Sequence, residues 1–310
     1  MVMETLWQIS QKINIDPRRI LSNEPMSRHT TFQIGGPADI FLTVASLNEL
    51  SSALSFFRGR GIPCFVLGGG SNLLVGDRGI RGAVLDLSGM RGCARIGTVI
   101  KAQAGCSVEA LCEEALAGGL GGLEDFYGLP GTAGGAIFMN ARCYERDFSA
   151  SVNTITAMSP EGIIRTIPTA ELRWAYKKSL FQPGEALDGW IILSADFQLA
   201  PADAGTVASI MRMRKTDRMM KGHYRYPSAG SLFKNNRAFG KPTGAILESL
   251  GLKGYRIGDA GIATFHANIF INYGKASARD MLTLIQTARD KARQKLGIEL
   301  EPEVLMVGEF

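Results

Sequence analysis

Three consecutive glycines stand between two of the stiffest apolar runs of the chain, in the stretch CFVLGGGSNLLV at residues 64–75. Glycine adopts positive φ without steric cost and asparagine tolerates it, so residues 68–72 could form a plain turn between two strands. Alternatively, N–H groups exposed by glycines can bind a phosphate, with Ser71 and Asn72 as further donors. The spacing fits neither a P-loop nor the G-x-G-x-x-G dinucleotide fingerprint.

The composition is that of an ordinary globular protein. Of 310 residues, 45% are hydrophobic and 20% are charged, and the net charge is +5. This length allows two or three domains with substantial cores. The one basic cluster, at 211–225, is interpreted as a solvated helix face rather than a nucleic-acid surface. The mild positive charge also suits an anionic small substrate.

The cysteines, the histidines and the hydropathy narrow the possible classes of protein further. The five cysteines form no C-x-x-C pair, which predicts reduced thiols in a cytoplasmic protein. The three histidines lie far apart, so no metal site is expected. No stretch approaches the roughly 20 apolar residues that span a bilayer, so no membrane association is expected.

Hydrophobic periodicity and turn signals predict an α+β organisation. A hairpin is expected around Pro160, between strands at 151–159 and 162–168. The predicted helices cover 3–22, 46–61, 107–122, 203–220, 243–250 and 276–296. The other predicted strands cover 38–45, 62–68, 73–75, 79–87 and 98–105.

A second glycine-rich segment, LEDFYGLPGTAGGAIFMNA at 123–141, changes the interpretation of the first. Two such loops, each tied to a strand and without a P-loop lysine, indicate one extended ligand whose pyrophosphate is bound by backbone. A nucleotide cofactor is therefore favoured over a plain turn.

Seven motifs then occur in one order over residues 23–308. They are NEPMSRHTTFQIGGPADIFL, VLGGGSNLLV, YGLPGTAGGAIFMNA, PSAGSLFKN, GLKGYRIGDA, HANIFIN and LEPEVLMVG. The chain resembles the UDP-N-acetylenolpyruvoylglucosamine reductase (MurB) family, in the short subgroup without the extra tyrosine loop. The resemblance implies an α+β fold with a two-lobed FAD-binding domain of the vanillyl-alcohol-oxidase (PCMH) type and a C-terminal α+β substrate-binding domain. The expected divisions are 1–90, 91–215 and 216–310.

The resemblance also implies non-covalent FAD, with NADPH as the hydride source. Backbone and side-chain donors of the first glycine turn are expected at the FAD pyrophosphate, and the second glycine segment is expected beside the flavin. The first set is Gly68, Gly69, Gly70, Ser71 and Asn72. The second set is Gly128, Pro130, Gly131, Thr132, Gly134, Gly135 and Ala136.

The family reaction reduces the enolpyruvyl group of UDP-N-acetylglucosamine enolpyruvate to UDP-N-acetylmuramate in peptidoglycan synthesis. By resemblance, Ser231 matches the proton donor and Glu303 the catalytic carboxylate, with Glu301 as its competitor. Lys177 stands where the family has its catalytic arginine, so the charge is kept but the planar two-pronged donor is lost.

Substrate anchoring carries over to Tyr176, Asn235 and Lys253, and His266 is either a further binding residue or a structural one. Other positions depart from the family pattern and put the substrate geometry in doubt. They are Arg142 and Cys143 beside the flavin loop, Asn236 in place of proline, and Gly261 in place of a substrate-facing glutamine.

A cytoplasmic monomer that binds a small-molecule substrate, and neither nucleic acid nor membrane, is the resulting expectation. Two other hypotheses remain open at this point. One is an oxidase of the same fold, which would react quickly with O₂ and need no UDP-sugar domain. The other is a flavin-binding protein that lost catalysis together with the arginine at position 177.

Overall fold

The computed structural model describes residues 6–310, whose two largest hydrophobic cores lie one in each of two units. One unit, called unit 1, contains residues up to 22, 40–69 and 83–217. The other, unit 2, contains 23–39, 70–82 and 218–310. Each unit is therefore assembled from three stretches of chain.

Seven α-helices and eighteen strands occur in the described residues. The helices are α1 Leu6–Ile13, α2 Leu47–Arg58, α3 Val108–Ala117, α4 Ala133–Phe138, α5 Ala204–Met220, α6 Thr243–Ser249 and α7 Ala278–Leu296. The first nine strands are β1 Ile20–Pro25, β2 Pro37–Thr43, β3 Cys64–Leu67, β4 Leu73–Val75, β5 Ile80–Asp86, β6 Cys93–Ile96, β7 Val99–Gln103, β8 Leu120–Gly121 and β9 Arg142–Cys143. The others are β10 Arg146–Asp147, β11 Val152–Met158, β12 Ile164–Pro168, β13 Ile191–Gln198, β14 Ala200–Pro201, β15 Arg256–Ile257, β16 Ala260–Ile262, β17 Phe270–Asn272 and β18 Leu305–Val307.

Serine caps begin three of these helices. The hydroxyls of Ser46, Ser107 and Ser277 accept hydrogen bonds from backbone N–H groups in the first turns of α2, α3 and α7. Each cap satisfies a donor that has no partner inside its own helix. The predicted start of α2 at Ser46 is thereby confirmed.

The predicted helix over 3–22 is wrong beyond Ile13. Helix α1 ends there, Asp16 caps a short 3₁₀ turn at Pro17–Arg19, and the chain continues as β1. Pro17 cannot donate the hydrogen bond that a continuing α-helix would need, which explains the break. Residues 3–5 of the prediction lie outside the described part.

Unit 1 contains a five-stranded antiparallel sheet in the order β12-β11-β13-β7-β6. The predicted hairpin around Pro160 is confirmed, since Met158 on β11 pairs with Ile164 on β12. A second sheet has the order β1-β2-β5-β3, in which β3 and β5 run parallel and place Leu67 opposite Asp86.

Aromatic packing organises the unit 1 core. Phe148 meets both Phe126 and Phe197 edge-on, with ring centroids 5.0 and 5.5 Å apart. All three rings are fully buried. Edge-to-face pairs of this kind stabilise a core beyond their buried area.

Unit 2 combines a three-stranded sheet, β15-β16-β17, with helices α6 and α7. Its core includes Phe233 and Phe270, whose rings also meet edge-on at 5.8 Å. A two-stranded parallel pair joins β4 to β18, with Leu74 opposite Met306. None of the helices among residues 6–310 is both long and apolar enough to cross a membrane.

Candidate functional site

The two glycine-rich turns meet inside unit 1. A methyl group placed on Gly69 would lie 2.7 Å from the Cα of Gly131, and one on Gly68 would lie 2.9 Å from the Oγ1 of Thr132. Only glycine allows such an approach of two backbones. Gly131 also has φ of 122°, which side-chain-bearing residues rarely adopt.

Several backbone donors at this meeting point have no protein acceptor. Among the hydrogen bonds of residues 6–310, none uses the N–H of Gly68, Gly69, Gly131 or Thr132 as its donor. Nearly all buried backbone N–H groups in proteins are paired, and Thr132 is itself buried. A cluster of unpaired N–H groups on glycine turns is a typical anion-binding arrangement.

The rest of the first glycine turn belongs to unit 2. Gly70 has φ of 60°, and a methyl group on it would collide with the carbonyl oxygen of His29. Its own carbonyl accepts the N–H of Thr31 at 3.1 Å. Within the described part of the chain, the N–H groups of Gly70, Ser71 and Asn72 also lack protein acceptors.

Asn72 ties this turn to the C-terminal segment. Its Nδ2 donates to the carbonyl oxygen of Glu303 at 3.0 Å, and its carbonyl accepts the N–H of Leu305 at 3.0 Å. The side-chain amide is thus already engaged, so the backbone N–H is the Asn72 donor that an anion could use. No sequence pattern predicts this link, which joins residues 231 positions apart.

Ser231 and Glu303 lie on neighbouring backbone segments of unit 2. The N–H of Glu303 donates to the carbonyl of Leu232 at 2.7 Å, and Ser231 forms a β-bridge with Ile269. Gly230, just before the serine, has φ of 74°. Two candidate catalytic residues predicted from distant motifs are therefore held close by direct backbone hydrogen bonding.

Glu301, the competing carboxylate, has a different environment. It pairs with the Nζ of Lys234 at 2.7 Å, and its side chain is 69% exposed. Glu303 is only partly exposed. An exposed carboxylate in a surface ion pair is a poor candidate for chemistry that excludes water, so the geometry favours Glu303.

Tyr176 and Lys177 occupy the two central positions of a tight turn in unit 1. Ala175 and Lys178 exchange both backbone hydrogen bonds, at 3.3 and 3.1 Å. Lys177 has φ of 56°, which is uncommon for a residue with a side chain. Strained backbone that the surroundings enforce is often found at active sites.

Two amide side chains fix this turn, and sequence reasoning missed both. The buried Asn140 donates from Nδ2 to the carbonyl of Ala175 at 2.8 Å. On the other side, Gln182 donates from Nε2 to the carbonyl of Lys177 at 3.2 Å. The only signal for Asn140 was its place at the end of the second glycine motif.

Arg142 and Cys143 form one strand of the β9–β10 hairpin, opposite Asp147 and Arg146. The turn residues Tyr144 and Glu145 both have positive φ, of 47° and 66°. Hairpin turns with two positive φ values normally use asparagine and glycine.

Three further candidate residues lie in unit 2, whereas Tyr176 lies in unit 1. The Oδ1 of Asn235 accepts the N–H of Thr243 at 2.9 Å, and the Nζ of Lys253 pairs with Glu248 at 2.9 Å. His266 is partly buried, and its Nδ1 accepts the N–H of Asn268 at 3.2 Å. Burial lowers the pKa of His266, and the charges of Lys221 and Lys253 lower it further.

The glycine at position 261 leaves room for an aromatic ring. A methyl group on Gly261 would lie 2.5 Å from the ring of Tyr273, and the guanidinium of Arg256 lies 3.8 Å from the centre of that ring. A glutamine at this position would have to displace Tyr273.

The cysteines and the possible metal ligands complete the description. All five cysteines carry free thiols, and residues 6–310 contain no group of three or more His, Cys, Asp or Glu side chains that could hold a metal ion.

Comparison with known proteins agrees with this geometry. An FAD binding domain model matches residues 38–167, which include both glycine turns. A model of the UDP-N-acetylenolpyruvoylglucosamine reductase C-terminal domain matches residues 222–307, which include Ser231 and Glu303. Together they define an oxidoreductase with an α+β, PCMH-type FAD-binding domain and a C-terminal α+β domain, as predicted.

Relatives cover almost the whole chain. UDP-N-acetylenolpyruvoylglucosamine reductases of Caldanaerobacter subterraneus and Rubrobacter xylanophilus are 39% and 40% identical to it, over 94% and 93% of this chain and 94% and 95% of theirs. The crystal structure of the reductase (MurB) from Thermus caldophilus superposes with a TM-score of 0.77 at 31% identity, covering 93% of this chain and 98% of that one. The chain belongs to the UDP-N-acetylenolpyruvoylglucosamine reductase family.

Proposed function

We propose that this chain uses FAD and NADPH to reduce the enolpyruvyl group of UDP-N-acetylglucosamine enolpyruvate, giving UDP-N-acetylmuramate. The observation that carries the proposal is the meeting of Gly69 with Gly131, where four backbone N–H groups lack an acceptor among residues 6–310. Donors without acceptors at a backbone contact that only glycine permits suit a pyrophosphate.

FAD fits the residues present. Gly68, Gly69, Gly131 and Thr132 would hold the pyrophosphate through backbone N–H groups, with further N–H donors from residues 70–72. FAD supplies hydride transfer when bound. NADPH as the hydride source is proposed from the resemblance to the family.

The remaining residues would manage charge and a proton on the substrate. Negative charge develops on the enolpyruvyl carboxylate as C3 receives hydride, and a fixed cation stabilises it. Lys177 is assigned this role, as a point charge in place of the family's arginine. Ser231 would protonate C2, and Glu303 would hold the carboxylate side of the substrate.

Substrate anchoring is assigned to Tyr176, Asn235 and Lys253, with His266 beside Lys253. Amide donors and a lysine suit a uridine diphosphate. We further propose the three-part division 1–90, 91–215 and 216–310, a monomer in the cytoplasm, and a place in peptidoglycan precursor synthesis. That place links the enzyme to cell-wall biogenesis, cell shape and cell division.

Anaerobic single turnover tests the proposal. The purified yellow protein is reduced with NADPH, and UDP-N-acetylglucosamine enolpyruvate is then added without oxygen. Flavin absorbance should return quickly. If the flavin stays reduced although UDP-sugar binds, the chain is a non-catalytic flavin protein. Fast reoxidation by O₂ with no response to the UDP-sugar would instead identify an oxidase.

A matched pair of variants tests the assignment of the carboxylate. Glu303→Gln should slow flavin reoxidation by the enolpyruvyl substrate by about 100-fold or more, the usual range for acid–base groups. Glu301→Gln should change it little, because that side chain is in an exposed ion pair. The reverse ranking would move the role to Glu301.

A further inference from the structure

Arg142 stands where the family has a small residue, two positions after the asparagine that holds the Tyr176 turn. Its guanidinium carbon lies 6.0 Å from the centre of the Tyr176 ring, at the limit of a cation–π contact. Tyr176 is a proposed substrate-binding residue, and its neighbour is Lys177. Arg142 therefore lies beside the turn that carries both Tyr176 and Lys177.

The guanidinium is fixed in place by two carboxylates. Its Nη1 contacts Asp147 at 2.9 Å and its Nη2 contacts Glu145 at 2.7 Å. These hydrogen bonds raise the pKa of Arg142. Only 23% of the arginine side chain is exposed, against 82% for Glu145. Both carboxylates therefore hold the guanidinium, and Asp147 is also the cross-strand partner of Arg142 in the hairpin.

The hairpin that carries Arg142 is itself anchored to helix α5. The Tyr144 hydroxyl donates to Asp217 at 2.7 Å and to the carbonyl of Arg214 at 3.2 Å. The guanidinium of Arg214 also lies 4.0 Å from the centre of the Tyr144 ring. Arg142 is therefore presented to Tyr176 from a rigid element.

We infer that Arg142 is a positioning residue that orients the Tyr176 ring for substrate, beside a lysine that cannot do so through a planar fork. Lysine has a flexible stem and cannot form the planar fork of arginine. A guanidinium held by two carboxylates is pre-organised before substrate arrives. This inference rests on the proposed function of Tyr176.

Kinetics of the FAD-loaded protein provide the first test. Arg142→Met keeps an apolar stem but removes the charge and the fork. It should raise the KM for the enolpyruvyl substrate about five- to tenfold and leave flavin reduction by NADPH unchanged. Arg142→Lys should be intermediate. Glu161→Gln, which changes an exposed carboxylate in the turn between β11 and β12, should behave like the unaltered protein.

A double-mutant cycle separates positioning from a general structural effect. Because Arg142 acts through the ring, Arg142→Met should add little in a Tyr176→Ala background. Lys177→Arg should recover at least part of the loss in Arg142→Met. A loss that persists undiminished in Tyr176→Ala, or that slows both half-reactions equally, would overturn the inference.

A readout independent of activity keeps this test distinct from the test of the proposed function. In protein labelled with 3-fluorotyrosine, the ¹⁹F resonance missing from Tyr176→Phe identifies residue 176. Arg142→Met should shift and sharpen this resonance, because a released ring averages faster. An unchanged resonance refutes the contact even if the enzyme is active. A shifted resonance in a protein that never turns over refutes the reaction and leaves the contact standing.

Discussion

At the scale of single residues, the candidate site depends more on the close approach of backbone segments than on side-chain chemistry. Gly69 and Gly131 meet at a separation that leaves no space for one methyl group. The side-chain amide of Asn72 donates to the carbonyl oxygen of Glu303, so the backbone N–H is the Asn72 donor that a ligand could use. At both places, the side chain is absent or already hydrogen-bonded, so backbone N–H groups are the donors that a ligand could use.

Gly69→Ala should therefore impair cofactor binding. The added carbon would lie 2.7 Å from the Gly131 Cα, so one of the two turns must shift and its N–H groups with it. We expect the FAD dissociation constant, measured by flavin fluorescence, to rise at least tenfold. Gly205→Ala, whose added carbon would meet only the Asp203 carboxylate at 3.3 Å, is the control. Equal FAD affinities for the two variants would contradict the proposed pyrophosphate site at the two glycine turns.

His266 should titrate below the usual histidine value of about 6.5. Burial and the nearby Lys221 and Lys253 lower its pKa, opposed by Glu248. Its Nδ1 accepts a hydrogen bond that protonation would break. A titration of the ring proton by NMR measures this shift directly, and a midpoint at or above 6.5 would contradict it.

The same shift has a consequence for stability. Below pH 6.5 the unfolded chain binds a proton at this histidine before the folded one does, so stability is lost as pH falls from 6.5 towards the folded pKa. Denaturant unfolding between pH 7.5 and 5.5 should show a smaller loss for His266→Gln than for the unaltered protein.

At the scale of elements, short hairpins place the candidate residues. The β9–β10 hairpin presents Arg142, and the turn between Ala175 and Lys178 presents Tyr176 and Lys177. Their turns use Tyr144, Glu145 and Lys177 in the left-handed region. The strained backbone therefore lies in the two turns that position these side chains.

Glu145→Gly should release part of that strain. A side-chain-bearing residue in the left-handed region costs roughly 1–2 kcal/mol, and the exposed ion pair with Arg142 is worth less than about 1 kcal/mol. The free energy of unfolding should rise by about 1 kcal/mol in denaturant titration. Glu145→Gln keeps the strained φ and serves as the control. A stability no higher than that of the control would mean that the turn is unstrained.

The sequence predicted elements wherever local chemistry was decisive. Ser46 marked the start of α2, and the β11–β12 hairpin followed from alternation around its turn. The helix predicted over 3–22 was wrong beyond Ile13, because Pro17 ends a helix that the apolar spacing alone would continue. The short helix α4 was hidden by the glycines of the second glycine segment.

Candidate site residues in motifs were found, but the residues that hold them were not. Asn140, Gln182 and the amide of Asn72 act through backbone carbonyls far away in sequence. Such contacts leave no periodicity and no spacing pattern, because any segment can offer a carbonyl. The roles assigned to the motif residues stay predictions.

At the scale of the whole molecule, FAD should stabilise the fold as well as provide chemistry. A ligand that binds only the folded state adds about 2.7 kcal/mol at 100 times its Kd. Adding FAD to the apoprotein should therefore raise Tm by several degrees in calorimetry. Gly69→Ala should show a much smaller rise at the same concentration. An equal rise would mean that FAD binds away from the glycine turns.

Unit 2 is built from three stretches, and its parallel strands β4 and β18 join residues 73–75 to residues 305–307. On the ribosome, the first of these strands emerges long before its partner has been made. The carbonyl of Glu303 that receives the Asn72 amide is synthesised 231 residues after that amide. Unit 2 can thus close only after residues 303–307 have left the ribosome, and a nascent chain halted before residue 300 would hold the first glycine turn without the segment that fixes it.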